Sequence, residues 1–166
     1  MRISFSAALA GIALAAAGLA SADTPVPHQK VGLWESTMMM EGKPFTTQSC
    51  VSEESNAKMS IFSAQMRQKN CKSSQVTHNM DGSWTSVSTC EFSPGRVRTT
   101  RAQITGDFNS KVTMVMRTDG ENAPDMNMTM AWIGPCKPGM KGGDVMMSNG
   151  MKMNVLDGTM SGMPAH

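Results

Sequence analysis

The sequence predicts a mainly β domain, an antiparallel meander of about seven strands with one short helix. Three observations predict it. Short runs rich in Thr, Val, Trp and Phe are separated by reversals carrying Gly, Asp, Asn or Pro, the pattern of successive hairpins. Between residues 111 and 133, apolar and polar residues alternate with period two. One stretch, residues 52–66, switches to helical spacing. Short loops make sequential strands pair antiparallel, and such a sheet either closes into a barrel or stays curved and open.

The elements follow in order. Residues 1–22 read as a signal peptide: Arg2 begins it, an apolar run follows, and Ala20-Ser21-Ala22 supplies the small-x-small cleavage pattern. The protein is therefore expected to be exported, into a bacterial periplasm or beyond. Residues 23–30, with Pro25 and Pro27, form an extended lead-in. A first strand runs over residues 31–40 and a second over 45–51, joined by a turn at Glu41-Gly42-Lys43-Pro44. Ser52 is suited to cap a helix, with Glu53 and Glu54 in its first turn and Met59, Phe62 and Met66 along one stripe.

Five further strands are expected over residues 72–79, 83–92, 96–105, 111–118 and 126–133. In the sixth strand Val112, Met114 and Met116 share a face; in the seventh Met126, Met128, Met130 and Trp132 do. In the fourth, Trp84 and Phe92 align with Ser86, Ser88 and Cys90. Residues 137–166 are rich in Gly and Met, lack aromatic residues and show no period, so they are expected to form a disordered tail. The folded domain should span residues 31–136.

Composition narrows the function. Nineteen residues are Met, against three Trp, five Phe and no Tyr. A formal net charge of +2 with no basic run gives no footprint for nucleic acid. After the leader, no apolar stretch is long enough to anchor the chain in a bilayer. Cys50, Cys71, Cys90 and Cys136 are an even set without CxxC spacing, so in an exported chain they are expected to form two disulfides.

Catalysis has little support. His28, His78 and His166 are scattered, and no nucleophile, phosphate-loop or dinucleotide motif is present. The expectation is a non-enzymatic binding or stress-related protein. Thioethers prefer Cu(I) and Ag(I) to harder ions, and Met, unlike Cys, is not lost to disulfides. Candidate ligands are Met114, Met116, Met126, Met128 and Met130 on the strands and Met146, Met147, Met151 and Met153 in the tail, with Trp84 or Trp132 covering the ion. The alternative is that flexible Met side chains pack a core or adapt to an apolar small ligand or a protein partner. No resident cofactor is expected beyond such a copper ion.

Several short motifs have a counterpart. Val31-Gly32-Leu33-Trp34-Glu35 opens the domain, Cys50-Val51-Ser52-Glu53-Glu54 follows, Cys71 comes after a helical stretch, Cys90 lies near a strand end and Cys136 closes the set. In these the chain resembles DUF3617, a bacterial exported family of unknown function. The resemblance covers roughly residues 30–136 and implies an exported, disulfide-stapled β domain, with no activity attached. For the bridges, Cys50–Cys71 with Cys90–Cys136 is the preferred pairing, because the first would staple the helical excursion. Cys71–Cys90 is the rival, since the turn at Asp81-Gly82 brings those two near each other.

Overall fold

The structure is a computed structural model, and it describes residues 26–40, 42–59, 62, 70–120 and 125–162. The expected leader therefore lies outside the described residues, as do Met66 and the last four positions. Ten strands and one helix follow one another: β1 (Gly32–Met40), β2 (Lys43–Val51), α1 (Glu53–Met59), β3 (Cys71–His78), β4 (Trp84–Ser93), β5 (Arg96–Asp107), β6 (Lys111–Thr118), β7 (Met126–Gly134), β8 (Asp144–Met147), β9 (Lys152–Asn154) and β10 (Met160–Ser161). All join one antiparallel sheet in the order β10-β9-β8-β2-β1-β7-β6-β5-β4-β3. The sheet is open, with β10 and β3 at its edges.

The seven expected strands are present, but their order is not a plain meander. β3 to β7 run as consecutive hairpins; β1 then lies between β2 and β7. The link from β2 to β3 must cross the sheet, and α1 begins that crossing. Ser52 caps α1 as expected: its Oγ accepts the Ser55 N–H at 3.1 Å, while Ser55 Oγ accepts the Ser52 N–H at 2.8 Å. This is a capping box with Ser in place of the usual Glu. Asn56 of α1 fastens the lead-in, donating to Gln29 O at 2.6 Å and accepting its N–H at 3.1 Å. Phe62, downstream of α1, is fully buried against Trp84 and Phe108, with ring centroids 5.6 and 6.2 Å apart.

The core thus lies on one face of the sheet: Trp34, Val51, Trp84, Ala102, Ile104, Val112, Met114 and Met130, with Phe62 upon them. The buried Trp34 indole N–H is satisfied by Lys30 O at 2.7 Å. The other face is polar. Thr46, Thr37, Thr129, Thr113 and Thr105 stand in one cross-strand row over five strands. Phe92 does not join the core: the register slips between Glu91 and Ser93, and Phe92 is 59% exposed.

Two expectations are corrected. The disulfides are Cys50–Cys136 and Cys71–Cys90, the rival arrangement. Five strands separate β2 from β3, so Cys50 and Cys71 stand roughly 25–30 Å apart at ordinary strand spacing, far beyond disulfide reach. Cys71 instead faces Cys90 across the β3–β4 hairpin. Leu33, the partner of Cys50, also pairs with Gly134, which brings Cys136 alongside.

In the stretch expected to be a disordered tail, residues 137–166, the described residues 137–162 form three further strands instead. β8 adds to the edge of β2 through Thr47↔Met147, Gln48↔Met146 and Ser49↔Val145, and β9 and β10 extend it. The tail needs no core of its own, because it borrows a ready sheet edge. Asn149-Gly150 and Asp157-Gly158, each with Gly at positive φ, supply its turns. Gly142 lets it approach α1 closely; a Cβ there would lie 2.5 Å from Ser52 Oγ.

Candidate thioether site

Antiparallel pairing fixes which methionines meet. Reading across the sheet, Phe45, Met38, Met128, Met114, Ile104, Trp84 and His78 are successive partners from β2 to β3. The next row holds Met126, Met116 and Ala102. Partners directly opposite have Cβ atoms about 4.5–5.5 Å apart. Five methionines on three adjacent strands (Met38, Met114, Met116, Met126 and Met128) therefore share one face at neighbouring positions. Met114 is buried, Met38, Met116 and Met128 are half-buried, and Met126 is 40% exposed. The face grades from a dry core to a wetter rim.

The other candidates fall elsewhere. Met130 is 4% exposed, between Ser36 and Val112, and its sulfur lies 3.9 Å from Gln29 Nε2. Met147 and Met153 belong to the same face of the extended sheet, and Met146 to the opposite face. Met151 sits in the turn beyond β8. Met38 was absent from the expected set, because its partnership with Met128 depends on β1 pairing with β7, which no local pattern announces. Each of the two tryptophans expected to cover an ion has a ring partner in the structure. Lys30 Nζ sits 3.6 Å from the Trp132 ring centroid, and His78 stacks on Trp84 at 4.4 Å.

Electrostatically the row is quiet. The direct cross-strand partners of the five methionines are Phe45, Ile104, Ala102 and one another, none of them a carboxylate. Among the described residues no group of three or more His, Cys, Asp or Glu could hold a metal ion. His78 is exposed and His28 lies in the lead-in, on a different element. The perturbed carboxylates are Asp81, Glu91, Asp107, Asp144 and Asp157, and each is held below its ordinary pKa. The first is lowered chiefly by hydrogen bonds from Ser83, and Asp107 by those from Asn109 and Ser110. Asp81, Asp107 and Asp157 accept these bonds within turns, and Glu91 and Asp144 tie neighbouring segments together.

A cavity of about 180 Å³ lies beside the row, lined by Gln29, Ser36, Ser49, Val51, Met130 and Val145 among others.

Fold and face together define a disulfide-braced open β-sheet domain with methionines concentrated on its core side. Over residues 28–136 the chain matches the model of DUF3617, a protein family of unknown function, and it belongs to that family. No curated protein and no solved structure matches it. The match covers β1 to β7; β8 to β10 lie beyond it.

Proposed function

We propose that this protein is an exported, non-enzymatic binding protein whose methionine row takes a soft monovalent cation, Cu(I) or Ag(I), through Met38, Met114, Met116, Met126 and Met128. The observation that carries this reading is the register: three adjacent strands set thioethers at directly facing positions, close enough for three to converge on one ion. Neutral sulfur ligands without an accompanying carboxylate or imidazole suit a soft, singly charged ion rather than Zn²⁺ or Mg²⁺. Two disulfides support an oxidising compartment, and the leader pattern of residues 1–22 supports export. No helix among the described residues is long and apolar enough to cross a membrane.

The test is competition for Cu(I) between the oxidised full chain and a Cu(I) chelator. Replacing Met38, Met114 and Met128 together by Leu keeps apolar volume and removes three sulfurs. Affinity should fall at least tenfold while the far-UV spectrum is retained; unchanged affinity in a folded variant would remove the reading.

Binding of an apolar small molecule ranks second. The cavity beside Met130 favours it, but about 180 Å³ suits a benzene-sized group rather than the 300 Å³ or more of ordinary ligand pockets.

A further inference from the structure

The three strands beyond the family match form an extension with two unlike faces. One face holds it together. Asn154 Nδ2 donates to Asp144 Oδ1 at 2.8 Å and to Gly142 O at 3.1 Å, and Lys152 Nζ lies 3.2 Å from Asp144 Oδ2. Asp144 Oδ2 also accepts the Lys141 N–H at 2.8 Å. Asp144 and Asn154 are 3% and 6% exposed, so the buried anchors of this extension are polar.

The opposite face carries sulfur. Val145 pairs with Met153, and Met153 with Met160, so these share the face of Met147. The Met151 carbonyl accepts the Met147 N–H at 2.8 Å, which sets Met151 across the hairpin from Met147. Four methionines thus occupy neighbouring positions, three on the short strands β8, β9 and β10 and Met151 in the turn before β9. Met147, Met151 and Met153 are only half-buried and Met160 is 50% exposed. Core packing does not account for them, since the buried groups here lie on the other face.

We propose that Met147, Met151, Met153 and Met160 form a second thioether site, for one Cu(I) or Ag(I) ion, distinct from the row on β1, β6 and β7. The inference shares its chemistry with the proposed function and none of its residues. By register Lys152 and Asp144 lie on the far face, away from Met147 and Met153, while Met160 at the rim borders a surface pocket that Lys141, Asp144, Lys152 and Asp157 also line. Thioethers carry no proton to release, so binding should be independent of pH between about 5 and 8, unlike Cys or His sites. Met146, on the anchoring face, takes no part.

The experiment is an Ag(I) titration of the oxidised full chain labelled with ¹³C at its Met methyl groups, with signals assigned by single Met→Leu variants. Met80, fully exposed, is the internal standard for unspecific thioether binding. The four hairpin signals should shift together, saturate at one equivalent and move at least tenfold earlier in Ag(I) than Met80. Met147→Leu with Met153→Leu should abolish that early step and leave the Met38, Met114 and Met128 shifts in place. Hairpin signals that move no earlier than Met80 overturn the inference. If the central signals alone shift early, the inference falls and the proposed function stands; if the hairpin signals alone do, the reverse holds; if neither does, both fall.

Discussion

At the scale of single residues, close approach and charge pairing decide more than size. Gly32 stands where a Cβ would lie 2.4 Å from Trp132 Nε1 and 2.5 Å from Gly134 O, at a φ of 134°. Any other residue would push Trp132 off its bond to Val31 O. Asp144 carries a pH dependence. Burial raises its pKa, but the Lys141 N–H, the Asn154 amide and the Lys152 ammonium together outweigh that and hold it below the ordinary carboxylate value. A lowered folded-state pKa gives stability that is present at neutral pH and lost as pH falls below about 4. Asp144→Asn should therefore cost about 1–3 kcal/mol at pH 7 and progressively less below pH 4. Urea denaturation at pH 7 and pH 3 checks this; an equal cost at both would deny the carboxylate its part.

At the scale of elements, hairpins were legible and long-range partnerships were not. β3 to β7 follow from alternation and from turns such as Asp81-Gly82 and Pro94-Gly95, all local signals. The seating of β1 beside β7 has no local signature, and it carries both the Cys50–Cys136 bridge and the inclusion of Met38 in the central row. β8 to β10 were missed for another reason. Their strands are too short for a period to register, although Asn149-Gly150 and Asp157-Gly158 were visible hairpin marks. The two bridges should also differ in strength. By loop closure, a separation of 86 residues is worth about 4.6 kcal/mol and one of 19 about 3.2 kcal/mol. Replacing Cys50 and Cys136 by Ala should thus destabilise more than replacing Cys71 and Cys90, as read from denaturant midpoints. The opposite ranking would mean that the unfolded chain already holds its ends together.

At the scale of the whole molecule, one sheet face gathers the aromatic core, the central methionine row and the methionines of the extension, while the other is a field of Thr, charged groups and anchors. A change on the polar face should leave soft-ion chemistry alone, and this separation makes the two proposed sites open to independent tests. The seating of β1 also has a consequence in time. Five strands are made between β1 and its second neighbour β7, so an early β1–β2 hairpin waits with its β1 flank bare until nearly the whole matched stretch has emerged, and with its β2 flank bare until β8 follows. Such a flank is a template for aggregation, and closing so distant a contact is slow. A chain that keeps the Cys50–Cys136 bond has that search shortened in advance, and in stopped-flow refolding it should regain its native tryptophan signal faster than the reduced chain. Equal rates would place the slow step at some other closure.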